Sequence, residues 1–187
     1  MIFELAIIFT FQTLYGYLYH QIGLLIAVFM AGIAAGSLCI TRFLHRIKAD
    51  THLFLKTEAA LVLFSIILPF LFSIPAHHLE KPAVSGFLYA TFLAASLISG
   101  GLIGVQFPLA AQIYLHTSPL GSSVGRTAGL LYGADLFGGF WGGLFGGILF
   151  LPILGLRDSC FTVAMIKLSS FSLFFLSTRL NVGTRNA

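Results

Sequence analysis

The stretch of residues 125–156, GRTAGLLYGADLFGGFWGGLFGGILFLPILGL, restricts the possible folds of this chain more than any other feature. Glycine recurs about every fourth residue, in a first row of Gly125, Gly129, Gly133, Gly138, Gly142 and Gly146 and a second row of Gly139, Gly143 and Gly147. In a soluble helix each interior glycine costs about 1 kcal/mol relative to alanine. In a bilayer a long apolar stretch is helical because its backbone amides have no other partners. Small residues four apart then form a groove for a neighbouring helix. The pattern predicts a membrane helix that packs through its glycines.

The composition supports a membrane environment for the whole chain. It is 58% hydrophobic and 9% charged, with a mean hydropathy of +0.98. So few charges could not cover the surface of a soluble domain of 187 residues. The net charge of +4 is too small and too scattered to indicate nucleic-acid binding. We therefore expect an all-α, polytopic integral membrane protein in a lipid bilayer, with no nucleic-acid partner.

The pattern of apolar runs and polar breaks predicts six transmembrane helices in one domain, residues 1–187. A spanning helix needs about 20 mostly apolar residues. The predicted helices cover residues 2–15, 22–43, 53–72, 83–114, 125–151 and 159–176. Pro69 and Pro108 are expected to kink or break their helices, and residues 152–158 to form a tight turn. No linker is long enough for a soluble domain. The arrangement resembles half of a major facilitator-type bundle.

Basic residues predict the orientation of these helices. Seven fall at connections that share one side of the membrane: Arg42, Arg46, Lys48, Lys56, Arg126, Arg179 and Arg185. The other side has Lys81 and Arg157. The positive-inside rule places the richer side and both termini in the cytoplasm. The apolar start with Glu4 predicts no secretory signal peptide, and it indicates a piece of a larger membrane unit.

Asp135 and Lys167 are charged residues expected within membrane helices. An intramembrane acid is by default a candidate for function. A structural role, through a bond to a helix terminus or an ion pair with Arg126 or Lys167, is the alternative for Asp135. Lys167 is expected to snorkel or to be a buried charge. Both alternatives stay open from the sequence.

Three further polar residues are candidate ligand contacts with Asp135. Tyr132 lies one turn before it, Gln12 belongs to a polar row on the first helix, and Gln106 precedes Pro108. For Gln106 the alternative is a bond to a backbone carbonyl that proline leaves free. Gly32 with Gly36, and Gly100 with Gly104, repeat the small-xxx-small spacing and predict helix packing.

Several other chemistries are disfavoured by their context. His77 and His78 are adjacent in a polar loop without further ligand spacing, so we expect no metal. The Gly-x-x-Gly spacings follow no strand, which excludes a nucleotide loop. Cys39 and Cys160 lie in or beside apolar spans and are read as unpaired thiols. No catalytic arrangement has supporting spacing, so we expect neither an enzyme nor a cofactor.

Several segments resemble the membrane part of the multispanning spermidine-synthase-like proteins of bacteria. They are residues 11–19 (FQTLYGYLY), 29–36 (FMAGIAAG), 104–110 (GVQFPLA), 129–135 (GLLYGAD) and 151–155 (LPILG). In that family a bundle similar to the major facilitator fold is joined to a soluble aminopropyltransferase domain. The resemblance implies a bacterial inner-membrane protein. The motif positions that carry over are Gln12, Tyr19, Gln106, Pro108, Tyr132 and Asp135.

The chain departs from that family because nothing in it corresponds to the aminopropyltransferase domain. The family's catalytic residues therefore have no counterpart here. We expect a non-catalytic membrane module that acts as an anchor, as a scaffold or in the passage of a polyamine-related compound, with a soluble aminopropyltransferase-like partner. One alternative is a structural subunit that packs other membrane proteins through its glycine-rich helix. Another is a half-size transporter that forms a homodimer, with its site at the interface.

Overall fold

The computed structural model describes residues 1–16, 19–44, 50–73, 82–117 and 124–185, and all secondary structure in these ranges is helical. The helices are α1 (Ile2–Tyr15), α2 (Tyr19–Leu44), α3 (Asp50–Ser73), α4 (Pro82–Thr117), α5 (Val124–Leu144), a π-helical segment (Phe145–Leu154) and α6 (Gly155–Arg185). The predicted all-α class is confirmed. The loop that contains His77 and His78 lies outside the described residues, as do Arg46, Lys48 and Lys81.

Four helical stretches in the described part of the chain are long and apolar enough to cross a membrane, which indicates an integral membrane protein. They are Tyr19–Phe43, Thr51–Phe72, Gly86–Tyr114 and Ala128–Leu176. The predicted number of six spans is not confirmed. Helix α1, with 14 residues, extends over about 21 Å, less than the roughly 30 Å of a bilayer core. The predicted fifth and sixth helices form one apolar stretch of 49 residues.

The turn expected at residues 152–158 is confined to Gly155, because the chain is helical on either side of this residue. Gly155 has φ 74° and ψ −179°, a backbone conformation that is essentially restricted to glycine and costs other residues about 1–3 kcal/mol. Pro152 lies inside the π-helical segment and does not end it. Pro69 and Pro108 likewise lie inside α3 and α4.

Side-chain pairs establish the helix directions. Ser65 contacts Cys160, and Phe54 lies 4.9 Å from Phe174 between ring centroids, so α6 runs antiparallel to α3. The stacked rings of Phe72 and Phe92, 4.2 Å apart, join the end of α3 to the first half of α4. Helix α4 is therefore also antiparallel to α3. The start of α3, the end of α4 and the end of α6 consequently lie at one end of the bundle.

Helices α2 and α4 make the closest backbone contact in the described part of the chain. A Cβ added to Gly32 would lie 2.5 Å from the carbonyl oxygen of Leu97. Added Cβ atoms on Gly36, Gly100 and Gly104 would overlap the backbone of the facing helix. Since neither helix can accept a side chain at these positions, glycine sets the distance between the helices.

The core surrounds α1. Phe3, Ile7 and Phe11 of this helix are buried and pack against residues of α2, α3, α4 and α6. Phe11 meets Phe92 edge to face, with centroids 5.3 Å apart, a favourable geometry for aromatic pairs. This core fixes α3, α4 and α6 relative to one another, and these three helices carry the polar site described below.

Candidate functional site

Glu58 is the most buried charged side chain in the described residues. It lies in α3 within the apolar stretch Thr51–Phe72, and 3% of its surface is exposed. A buried carboxylate is unfavourable unless a cation or hydrogen-bond donors compensate its charge. The residues around Glu58 therefore have to supply both.

Two side chains from other helices meet Glu58 at one of its oxygens. Lys167 of α6 places its Nζ atom 3.1 Å from Oε1. Gln106 of α4 donates its Nε2–H to the same oxygen at 2.9 Å. The site thus joins three helices through a charge-assisted hydrogen bond, an amide hydrogen bond and one shared acceptor.

The second carboxylate oxygen of Glu58 has a different environment. Oε2 is buried and has no hydrogen-bond partner in the described part of the chain. A buried acceptor left without a donor costs about 1–3 kcal/mol. Native proteins rarely keep such a group without a reason, and a ligand or a function is a common one. The atom can accept a hydrogen bond from an ammonium group or another cationic donor.

Lys167 is the more exposed partner of the ion pair. Its side chain is 27% exposed, whereas that of Glu58 is 5% exposed. The ion pair therefore runs from the bundle surface to the interior.

The three residues lie at a similar depth, close to one end of the bundle. Glu58 is seven residues beyond Thr51, and Gln106 is eight residues before Tyr114. Lys167 is nine residues before Leu176. At 1.5 Å per residue these separations are about 10 to 14 Å. The nearer end is the one predicted to be rich in basic residues.

The structure brings one of the four predicted ligand residues into this site. Gln106 contacts Glu58, whereas Tyr132 and Asp135 lie exposed on α5, and Gln12 is half-buried on α1. The possible Asp135–Lys167 pair is wrong, because Lys167 pairs with Glu58. The alternative role of Gln106 is also wrong, since its amide donates to a carboxylate and not to a carbonyl near Pro108.

Glu58 is the residue that sequence reasoning missed, although the sequence contains the signal. It lies within the predicted third helix, as Asp135 lies within the fifth. The same argument about intramembrane acids applies to both. Lys56, two residues away, makes this part of the helix resemble its cytoplasmic end, which predicts orientation and not a buried site.

The glycine rows of α5 face open space within this chain. Cβ atoms added at Gly125, Gly129, Gly133, Gly138 and Gly143 would meet no described atom within 4 Å. The end of α5 approaches α1, where a Cβ on Gly142 would lie 3.7 Å from the side chain of Ile2. In the π-helical segment, a Cβ on Gly146 would lie 3.1 Å from the same side chain. No described helix of this chain packs on these five glycines.

The described residues contain no group of three or more histidine, cysteine or acidic side chains that could hold a metal. Cys39 is an exposed free thiol and Cys160 a buried one.

Comparisons of this chain with protein-family models, with curated proteins and with solved structures find no match.

Proposed function

We propose that this chain is a non-catalytic membrane module that binds an organic cation of the polyamine type, and that Glu58 is the carboxylate that receives it. The observation that carries the proposal is the buried, unpartnered Oε2 atom. An ammonium group at this oxygen would satisfy it through a charge-assisted hydrogen bond. Glu58 replaces Asp135 as the main acid, because Asp135 is exposed on α5.

Lys167 is the counter-ion of Glu58 within the protein. A buried carboxylate without a cation would strongly destabilise the bundle. The 3.1 Å contact compensates Oε1 while Oε2 stays available. Because Oε2 is buried, an amine that binds there would have to displace neighbouring atoms and share the carboxylate with Lys167.

The resemblance to the membrane part of spermidine-synthase-like proteins supports the choice of amine. Gln106, which holds Glu58, belongs to one of the similar segments. We place the module in a bacterial inner membrane with the basic end of the bundle in the cytoplasm. The amine would then reach Glu58 from the cytoplasmic side, for passage or for presentation to an aminopropyltransferase-like partner.

Binding of spermidine to the purified chain in lipid nanodiscs tests the proposal. We expect saturable binding by wild type and its loss in Glu58→Gln, which keeps the shape of the side chain and removes its charge. Asp135→Asn is the matched control, because it removes an exposed acid and should bind like wild type. Size-exclusion chromatography and circular dichroism check that each variant is folded. Unchanged binding by folded Glu58→Gln would contradict the proposal.

A second candidate function, a half-size transporter or a structural subunit, is favoured by the open glycine rows of α5. Either role needs a second membrane chain on this face. Native mass spectrometry of the gently extracted protein separates them, since a homodimer supports the transporter and a heteromer supports the module or the subunit. A strictly monomeric chain would count against both of these roles.

A further inference from the structure

A cavity lies at the opposite end of the bundle from Glu58. It has a volume of about 420 Å³ and lies between α1, α3 and the start of α6. This volume is within the usual range of small-molecule sites, about 300–1,000 Å³. Its wall consists of Phe9, Thr10, Thr13, Leu14, Pro69, Phe70, Phe72, Leu156 and Arg157.

The two threonines in the wall of this cavity do not offer their hydroxyl hydrogens to a ligand. Thr10 donates its hydroxyl hydrogen to the carbonyl of Ala6 at 2.7 Å, and Thr13 donates to Phe9 at 2.8 Å. Both hydroxyl donors are therefore used within α1. The other lining residues, apart from Arg157, are aromatic, aliphatic or proline, so the cavity suits a hydrocarbon chain.

The cavity opens to the outside of the bundle. Phe9 and Phe70 line it and are 38% and 52% exposed. On a bundle whose long helices are apolar enough to cross a membrane, this surface faces lipid. A chain of a neighbouring lipid can enter from the side without passing through the core.

Arg157 provides the charge at this cavity. It is exposed, and its guanidinium carbon lies 6.0 Å from the centroid of the Phe161 ring, which supports it by a cation–π contact. The ion pair found in the described residues is that of Lys167 with Glu58, so Arg157 has no acidic partner there. A guanidinium group binds phosphate with two parallel hydrogen bonds.

We propose that this cavity binds an anionic phospholipid of the surrounding bilayer, with one acyl chain in the cavity and its phosphate on Arg157. The apolar wall and the single cation match the two ends of such a molecule. The lipid would fill the space between α1 and α3 at the end of the bundle. This site does not depend on the cation site at Glu58.

Lipid retention tests the proposal. The protein is reconstituted in vesicles with equal amounts of phosphatidylglycerol and phosphatidylcholine of identical acyl chains, extracted, and examined by native mass spectrometry. We expect wild type to retain phosphatidylglycerol preferentially. Arg157→Gln should reduce this preference about fivefold, the effect of one basic residue near a membrane surface. Arg42→Gln, an exposed arginine at the other end of the bundle, should leave the preference unchanged.

A second variant tests the cavity itself. Leu14→Trp fills the space and should lower the retention of both lipids. If Leu14→Trp does not fold, Arg157→Gln alone still tests whether the phosphate binds to Arg157. Equal preference in wild type and Arg157→Gln would overturn the proposal. A second result would also overturn the proposal. If oleate added to the vesicles displaced phosphatidylglycerol from wild type but not from Arg157→Gln, the ligand would be a free fatty acid.

Discussion

The glycines of helices α2 and α4 are tightly packed against each other, whereas most glycines of helix α5 are open. In the first pair, glycines of both helices face each other, and a Cβ on Gly32 would lie 2.5 Å from a backbone oxygen of α4. In α5, glycines with a similar spacing meet nothing within 4 Å over most of the helix. The apolar stretch that begins with α5 is also the least buried of the four long ones.

The difference shows that glycine spacing allows close packing without determining it. Gly36 fits against Gly101, so two smooth surfaces meet and both backbones approach. Around α5 the chain offers α1, whose Ile2 side chain fills the space at Gly146. Close packing therefore requires a small residue on both helices, and α5 meets no such partner among the described residues.

The largest expected effect comes from placing a side chain in the tight crossing. Gly36→Leu should separate α2 from α4 and abolish the folded monomer, because the added atoms overlap backbone that cannot move alone. The matched change Gly133→Leu should leave the melting temperature of the monomer nearly unchanged, since that position is open. Thermal unfolding in detergent measures both variants. Similar losses at the two positions would show that the contrast between the helices is wrong.

The next effect concerns the two intramembrane acids, one in the packed region and one in α5. Lys167→Met should destabilise the protein by about 3–5 kcal/mol, because it leaves the Glu58 charge buried with Gln106 alone. The double variant Lys167→Met with Glu58→Gln should recover much of that stability.

Asp135→Ala is the control for this experiment and should change stability by less than about 0.5 kcal/mol. Denaturant unfolding in mixed micelles gives the free energies. A double variant that is less stable than Lys167→Met would contradict the assigned ion pair.

The smallest expected effect is the loss of a single serine hydrogen bond, which is tested by comparing two serines. Ser65 of α3 donates to the carbonyl of Cys160 at 2.7 Å and is fully buried, whereas Ser169 bonds within its own helix and is exposed. Ser65→Ala should cost about 0.5–1.5 kcal/mol through the lost bond between helices. Ser169→Ala should be close to neutral. The same unfolding measurement distinguishes them, and equal costs would argue against a stabilising α3–α6 bond.

The helices could be predicted from the sequence because hydropathy and the needs of the backbone leave little choice. Helix α1 has the predicted bounds, and α2, α3 and α4 begin and end within a few residues of them. The end of the fifth helix was harder, because Pro152 and Gly155 together suggest a turn. The backbone instead accommodates the proline in a wide π-helical segment and changes direction at the glycine.

The site was less predictable for a physical reason. Hydropathy ranks residues by the cost of burying them, and Glu58 and Asp135 have a similar cost. Their difference lies in which side chains of other helices reach them. Lys167 is 109 positions away from Glu58 and Gln106 is 48 positions away. Such contacts follow from how helices pack, which a pattern along one helix does not encode.

The reversal of chain direction at Gly155 allows the ion pair between Lys167 and Glu58, which lies far from this glycine. Lys167 lies twelve positions beyond this glycine, about 18 Å along α6. If the chain continued straight, that ammonium group would travel away from α3, and the carboxylate of Glu58 would lose its counter-ion. The change of direction at Gly155, with its φ of 74°, thus brings Lys167 alongside Glu58. Gly155 supports this ion pair from twelve positions away.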